Sequence, residues 1–333
     1  MMRIPWMLVG VLSIGVACAS LPNASTAKPT WSIALHGGAG VIPKNLSPAE
    51  IAGYHAALDA ALAEGIRRAD RGESALDIAE AVVRVLVDEP RFNAGKGAAF
   101  TADGTHELDA CVMVGSGLRT GAVAGVKTVR HPVSLARLVM EKTRHVLLAA
   151  DGAETFADLM KVERVPNTWF DTELRRGYLE EWRAAQKTHA SAIPVRGESA
   201  YGTVGCVVRD AKGELAAATS TGGLTGKRWG RIGDAPIAGA GTFADSRCAV
   251  SCSGTGEVFI RHGVAREVSN RMRHFGEDPA TAARKVIAML DPGDGGLIVV
   301  GADGASAYAF NTEGLYRGFA DSTGRRETAI WED

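Results

Sequence analysis

The sequence carries no surplus of either charge: 37 Lys and Arg stand against 38 Asp and Glu, a net charge of -1. A nucleic-acid binder normally shows a basic excess, so that class is set aside. Cysteine is sparse, with Cys18, Cys111, Cys206, Cys248 and Cys252 the only five. Their spacing fits no zinc site and contains no C-x-x-C. On a shared strand, Cys248 and Cys252 would stand about 13 Å apart, too far for a disulfide, so buried free thiols are expected. Beyond the N-terminus no apolar run approaches the ~20 residues a membrane helix needs. Also missing are G-x-S-x-G, G-x-x-x-x-G-K-[ST] and H-E-x-x-H, which removes serine α/β-hydrolase, P-loop and zincin chemistry. The eight histidines form no ligand-spaced cluster.

What is abundant is glycine, 40 of 333 residues, against about 7% in average proteins. With no collagen-like period, this points to many tight turns and close backbone approaches. Apolar residues make up 46% and charged residues 23%, the balance of a folded globular protein of two domains or one large sandwich. Residues 1–19 read as a signal peptide: a basic Arg3, an apolar run from Ile4 to Ala17, and an Ala17-Cys18-Ala19 cleavage pattern. Export, to a periplasm in the first instance, is the expectation, and Cys18 offers a place for a lipid anchor. A strand over Trp31–Leu35 then runs into His36-Gly37-Gly38-Ala39-Gly40. Ser47, Pro48 and Glu50 open a helix with a capping box, ended by Gly72. Ser74 opens a second helix to about Val87. A hairpin is expected at Asp103-Gly104, leading into His106–Val114, and helices over 133–148 and 152–161. Residues 184–202 read as a mobile linker. A hairpin turns at Asp210–Gly213, helices fit 258–275 and 279–290, and a last hairpin turns at Asp303-Gly304. Strand pairs bracketing helix pairs suggest layered α/β with mixed or antiparallel sheets.

Two look-alikes fail on context. Gly239-Ala-Gly241-Thr-Phe-Ala244 matches the loose dinucleotide pattern without a clear helix after it. His36-Gly37-Gly38 is similar to an esterase oxyanion loop, but the nucleophile elbow is absent. The dense run lies further on: Gly202-Thr203-Val204-Gly205, Thr219-Ser220-Thr221-Gly222-Gly223, Gly230-Arg231-Ile232-Gly233-Asp234 and Ser251-Cys252-Ser253-Gly254-Thr255-Gly256-Glu257. A threonine opens a buried strand directly after the linker. Its hydroxyl is a poor nucleophile unless a base stands beside it, and the α-amine of an N-terminal threonine can be that base. The unperturbed amine pKa of about 7.7–8.0 suits the task. Arg231 and Asp234 could hold the carboxylate and ammonium of an amino acid. On spacing alone the run also suits a turn-rich hairpin protein with a surface ion pair.

Taken with Leu35-His-Gly-Gly-Ala-Gly40, Phe92-Asn-Ala-Gly95, Thr105-His-Glu-Leu-Asp-Ala-Cys111 and Asn311-Thr-Glu-Gly-Leu-Tyr316, this run resembles the plant-type asparaginase/isoaspartyl peptidase family of N-terminal nucleophile hydrolases, over about residues 31–320. The resemblance implies a four-layer αββα sandwich built as one domain from two chains, an α chain over 20–202 and a β chain over 203–333. It implies self-cleavage between Gly202 and Thr203, with Thr203 becoming the nucleophile. Thr221 would be the second catalytic threonine and Asn93 would orient the nucleophile. Arg231, Ile232, Gly233 and Asp234 would bind substrate, Arg231 at the α-carboxylate and Asp234 at the α-ammonium. Ser253, Gly254, Thr255 and Gly256 complete that set, Ser253-Gly254 at the oxyanion. Ser253 stands where the family usually has threonine: the hydroxyl is kept and a methyl lost.

The family's reaction would be release of aspartate from β-aspartyl dipeptides and from L-asparagine, with no cofactor required. The loop from Leu86 to Lys96 resembles an alkali-metal loop, with sodium held by the carbonyls of Leu86, Val87, Glu89, Phe92, Ala94 and Lys96. Lys96 departs from the aliphatic residue expected there. The partner is a small molecule or dipeptide, and a dimer of αβ units is implied. Glycosylasparaginase is the nearest alternative, although its relatives usually place aspartate where Gly202 stands. A non-catalytic exported binding protein on the same scaffold is the alternative from another class.

Overall fold

The computed structural model describes residues 30–188 and 202–332. The signal segment 1–19 and Cys18 lie outside the described residues. So does most of the expected linker, while 184–188 belong to a helix and Gly202 is described.

The first half runs β1 (Ser32–Gly40), α1 (Pro48–Ala69), α2 (Ala75–Asp88), β2 (Leu108–Val114), β3 (Arg119–Val126), α3 (Pro132–Lys142), β4 (Leu147–Ala149), α4 (Ala150–Leu159) and α5 (Glu173–Thr188). The capping box forms as read: Ser47 Oγ accepts from the Glu50 amide at 3.2 Å and Glu50 Oε2 accepts from the Ser47 amide at 2.8 Å. Such a cap stabilises a helix by about 1 kcal/mol. Helix α1 buries Leu58, Ala61, Leu62 and Gly65, the i, i+3, i+4, i+7 stripe of a helix laid on a sheet. Ser74 caps α2 through the Asp77 amide.

The second half runs β5 (Val204–Arg209), β6 (Leu215–Thr221), β7 (Thr242–Ala244), β8 (Cys248–Gly254), α6 (Gly256–His262), α7 (Val264–Phe275), α8 (Pro279–Ile287), β9 (Gly295–Gly301), β10 (Ser306–Phe310), β11 (Gly314–Asp321) and β12 (Arg326–Ala329).

Eight strands form one sheet in the order β12-β11-β1-β5-β6-β2-β3-β4, and four form a second in the order β10-β9-β8-β7. All pairings are antiparallel except β3 with β4. The expected mixed α/β architecture is what is found. The large sheet is apolar on both faces, and its side chains sort by strand alternation. Ile33, Leu35, Cys206, Val208, Ala216 and Ala218 join Leu58, Leu62, Val82 and Leu86 in one core. Ala34, Val207 and Ala217 join Val250, Cys252, Ile298 and the α7–α8 residues Val268, Ala282 and Val286 in another. The strand that carries the candidate nucleophile therefore lies between helices and the small sheet.

Several sequence expectations are corrected. Asp103-Gly104 makes a turn, closed by the Thr101 amide donating to the Thr105 carbonyl, but no strand precedes it, and β2 pairs instead with β3 and β6. The helix expected over 133–148 stops at Lys142, because residues 147–149 are drawn into the sheet beside β3. The one expected over 258–275 is broken at Gly263, which turns left-handed at φ 60°. Helix α5 was not anticipated. Gly239–Ala244 leads into β7 rather than a helix, as a non-nucleotide reading requires. Cys111, Cys206, Cys248 and Cys252 are buried and free, and burial pushes their thiols up.

Candidate active site

Thr203 stands immediately before β5 and is buried. Its Oγ1 donates to Thr221 Oγ1, at the end of the neighbouring strand β6, across 3.1 Å. Thr221 Oγ1 accepts in turn from the Gly223 amide at 3.0 Å. Asn93 braces this corner rather than the nucleophile itself. Its Nδ2 donates to the Gly223 carbonyl at 2.7 Å, its Oδ1 accepts from the Ala99 amide at 2.8 Å, and its carbonyl accepts from the Gly222 amide. Asn93 thus touches Gly222 and Gly223, and the Gly223 amide is what reaches Thr221.

Gly202, the residue before the nucleophile, threads a narrow passage. Gly38 sits at φ 112°, a conformation side chains rarely adopt, and a β-carbon there would stand 2.6 Å from the Gly202 carbonyl oxygen. On the other side lies Ser253 Oγ, which accepts from the Ala39 amide at 2.9 Å. The loop after β1 and the end of β8 thus enclose the Gly202–Thr203 bond. Gly254, Thr255 and Gly256 follow Ser253 in the turn from β8 into α6, where the Thr255 amide donates to the Asp294 carbonyl at 2.7 Å.

The loop between β6 and β7 brings up the charged groups. Arg231 makes a paired contact with Glu257, Nε to Oε1 and Nη2 to Oε2 both at 2.9 Å. The pair holds the Glu257 carboxyl below its ordinary range. The remaining Arg231 nitrogen, Nη1, lies beside Gly223 and Gly233, and Gly256 packs against the same guanidinium. Ile232 is exposed and Gly233 buried. Asp234 is buried at 3% exposure, and its Oδ2 has no hydrogen-bond partner. Burial pushes its carboxyl up to about 7. A buried carboxylate without a partner is costly, and a cation delivered to it would relieve that cost.

The segment that resembles an alkali-metal loop runs over the end of α2 and the turn after it. Carbonyls of Val87, Pro90 and Phe92 turn in against the bare faces of Gly95 and Gly97. Leu86, Glu89 and Ala94 carbonyls each accept one long backbone bond, 3.2–3.3 Å, which leaves a lone pair on each. The Lys96 ammonium turns away, donating to the Trp169 carbonyl at 2.6 Å with the Trp169 ring centre 5.0 Å off. Carbonyl oxygens with a lone pair to spare, and with the lysine ammonium engaged elsewhere, are donors of the kind a hard monovalent cation takes. Among the described residues no group of three or more His, Cys, Asp or Glu could hold a metal.

Sequence reasoning missed several residues here. Glu257 was quoted in the run but not assigned. Asp109 and Lys227 are buried groups of opposite charge that influence each other electrostatically: Asp109 lies across from Thr221 in the β2–β6 ladder, and Lys227 Nζ donates to the Glu107 carbonyl at 2.6 Å. Burial raises the Asp109 carboxyl and lowers the Lys227 ammonium, each partly offset by the other. Buried polar residues in strands carry no periodic signal, and only their proximity in space marks them.

An enclosed bond next to a threonine pair, near a guanidinium and a buried carboxyl, gathers a candidate nucleophile and groups of both charges in one region. The family model described as Asparaginase matches residues 29–330, and the chain belongs to that family of hydrolases. It is 45% identical to the isoaspartyl peptidase of Escherichia coli K12, over 90% of this chain and 96% of that one. Against the probable isoaspartyl peptidase/L-asparaginase 2 of Arabidopsis thaliana the identity is 44%, covering 91% and 99%. The plant-type L-asparaginase of Thermococcus kodakarensis is 40% identical over 86% and 95%.

Proposed function

We propose that the protein is a self-processing threonine hydrolase that releases aspartate from β-aspartyl dipeptides and from L-asparagine. The observation that carries this reading is Thr203 Oγ1 set 3.1 Å from Thr221 Oγ1, directly after the enclosed Gly202. In processing, Thr203 Oγ attacks the Gly202 carbonyl carbon and the peptide nitrogen leaves. The acyl group has then moved from nitrogen to oxygen as an ester, which water hydrolyses. The products are a carboxylate at Gly202 and a free α-amine on Thr203.

That amine is the base for the second reaction. It takes the hydroxyl proton as Thr203 Oγ attacks the substrate's side-chain amide carbon, and passes it to the departing ammonia or peptide amine. Water then frees aspartate from the acyl-enzyme. Thr221 orients the nucleophile and Asn93 braces Thr221. Ser253 and Gly254 face the developing oxyanion, where one donor is typically worth about 2.7–4 kcal/mol. Arg231, with Ile232 and Gly233 beside it, takes the α-carboxylate, and Asp234 the α-ammonium. Thr255 and Gly256 border the substrate. The names and the high coverage of the relatives support the substrate class.

The two facing sheets with helices outside them support the four-layer αββα sandwich of N-terminal nucleophile hydrolases. The carbonyls of Leu86, Val87, Glu89, Phe92, Ala94 and Lys96 would hold sodium, which when bound would stiffen the loop that carries Asn93. The processed protein would assemble as a dimer of αβ units. Export is proposed from residues 1–19, which precede the family match.

The test is an intact mass spectrum of the protein beside Thr203→Ala. Wild type should appear as two fragments, one beginning at Thr203, and the variant as one chain. A wild type that stays whole on prolonged incubation sinks the mechanism.

A further inference from the structure

Four polar side chains outside the proposed catalytic set form a continuous line through the dry space between the sheets. His36 on β1, Ser251 on β8, Thr219 on β6 and Thr242 on β7 are all fully buried. His36 Nε2 lies 2.8 Å from Ser251 Oγ, which lies 2.8 Å from Thr219 Oγ1. Thr219 Oγ1 and Thr242 Oγ1 are 2.6 Å apart, and Thr242 Oγ1 donates to the Ala235 carbonyl at 2.9 Å. Gly205, opposite His36 in the β1–β5 ladder, makes room for the line, since a β-carbon there would collide with both Ser251 Oγ and His36 Nε2.

A carbonyl can only accept, and each hydroxyl has one proton to give. Thr242 Oγ1 lies in donating geometry to both Thr219 Oγ1 and the Ala235 carbonyl, and between Thr219 and Ser251 either hydroxyl can donate, so the line can run in either sense. Burial brings the His36 ring's pKa down to about 3, so the ring is neutral and carries one proton. The Thr203 backbone lies against the ring and favours its protonated form, opposing the effect of burial.

The two ends of the line matter for the chemistry. One is His36, against the backbone of the proposed nucleophile. The other is the carbonyl of Ala235, the residue after Asp234. Thr219 lies between them, two residues before Thr221 on the same face of β6. We infer that His36, Ser251, Thr219 and Thr242 are positioning residues that fix the span between Thr203 and Asp234, so that one substrate can present its amide to the first and its α-ammonium to the second. This inference rests on the proposed reaction.

Thr242→Val keeps the shape and removes the hydroxyl, cutting the line at its Asp234 end. Kinetics of the processed protein on L-asparagine and on succinamic acid, which is asparagine without its α-amino group, separate positioning from general damage. The expected result is a KM for asparagine raised about tenfold, the loss of one buried hydrogen bond, with kcat and turnover of succinamic acid little changed. Thr242→Ser should restore the KM. An equal loss on both substrates, an unchanged KM, or a failure of serine to rescue overturns the inference while leaving the proposed function standing. A wild type inactive on asparagine and β-aspartyl dipeptides overturns both.

Discussion

Asp234 makes a prediction that pH alone can test. Burial pushes its carboxyl up to about 7, with Arg231 pulling down and Glu257 and Asp109 pushing up. The α-ammonium of a substrate needs the ionised form. In the free enzyme that form is half populated near pH 7 and falls about tenfold for each unit below, a cost of about 1.4 kcal/mol per unit. Because kcat/KM reports groups of the free enzyme and kcat those of the complex, the loss should enter KM. The bound ammonium holds the carboxylate ionised, so kcat should not show it. The Thr203 amine adds an acid limb of its own, but that limb is shared by every substrate. The discriminating quantity is the ratio of kcat/KM for asparagine to kcat/KM for succinamic acid. The ratio should be level above pH 8 and should fall by roughly fiftyfold between pH 7 and pH 5. A ratio that is flat from pH 8 to pH 5 would refute the assignment of Asp234 to the ammonium, or the burial argument behind its raised pKa.

The same group should act on stability with the opposite sign. A carboxyl whose pKa is raised in the fold stabilises the folded state only while protonated, so stability is lost as pH rises from the unfolded value of 3.8 through about 7. Asp234→Asn should therefore raise the melting temperature at pH 8, by an amount that shrinks as the pH approaches 4, while weakening asparagine binding. Equal melting temperatures at pH 8 would contradict the cost assigned to the buried charge. Gly205→Ala should be destabilised by about 1–3 kcal/mol or more in denaturant melts, since its methyl enters the space of His36 and Ser251. A neutral result would show that the line between the sheets yields.

Some of this structure was legible in the chain because its causes are local. Ser47, Pro48 and Glu50 are adjacent, and their capping box needs nothing distant. Asp210–Gly213 turns its hairpin for the same reason, with Asp210 Oδ1 accepting from the Lys212 and Glu214 amides. The candidate site was legible because its parts lie on one stretch from Gly202 to Glu257. What could not be read is whatever distant segments settle between them. The placement of β11 beside β1 joins residues nearly three hundred apart, and no pattern in either strand announces the other. The stop of α3 at Lys142 reflects capture of Leu147–Ala149 by the sheet edge, which overrides helical spacing. Helix α5 is strongly polar and its last five residues fall within the stretch read as a linker, so no helix is expected there from the sequence. His36, Thr219, Thr242 and Ser251 come from four strands, and each alone is an ordinary polar residue in a buried position.

The strand order of the large sheet has a consequence for the cut chain. Of its eight strands, β1 belongs to the segment before Gly202 and is flanked on both sides, by β11 and β5, with strands from the segment after it. The later segment's β6 is in turn bonded to the earlier segment's β2. The two pieces are woven rather than apposed, and neither can be lifted away without tearing ladders on both sides of a strand. Cleavage at Gly202–Thr203 would leave the shape intact and remove the route by which it was reached. An uncut chain folds by itself, whereas the same molecule once cut and denatured has to find its other half in solution. The cut would make folding a path taken once.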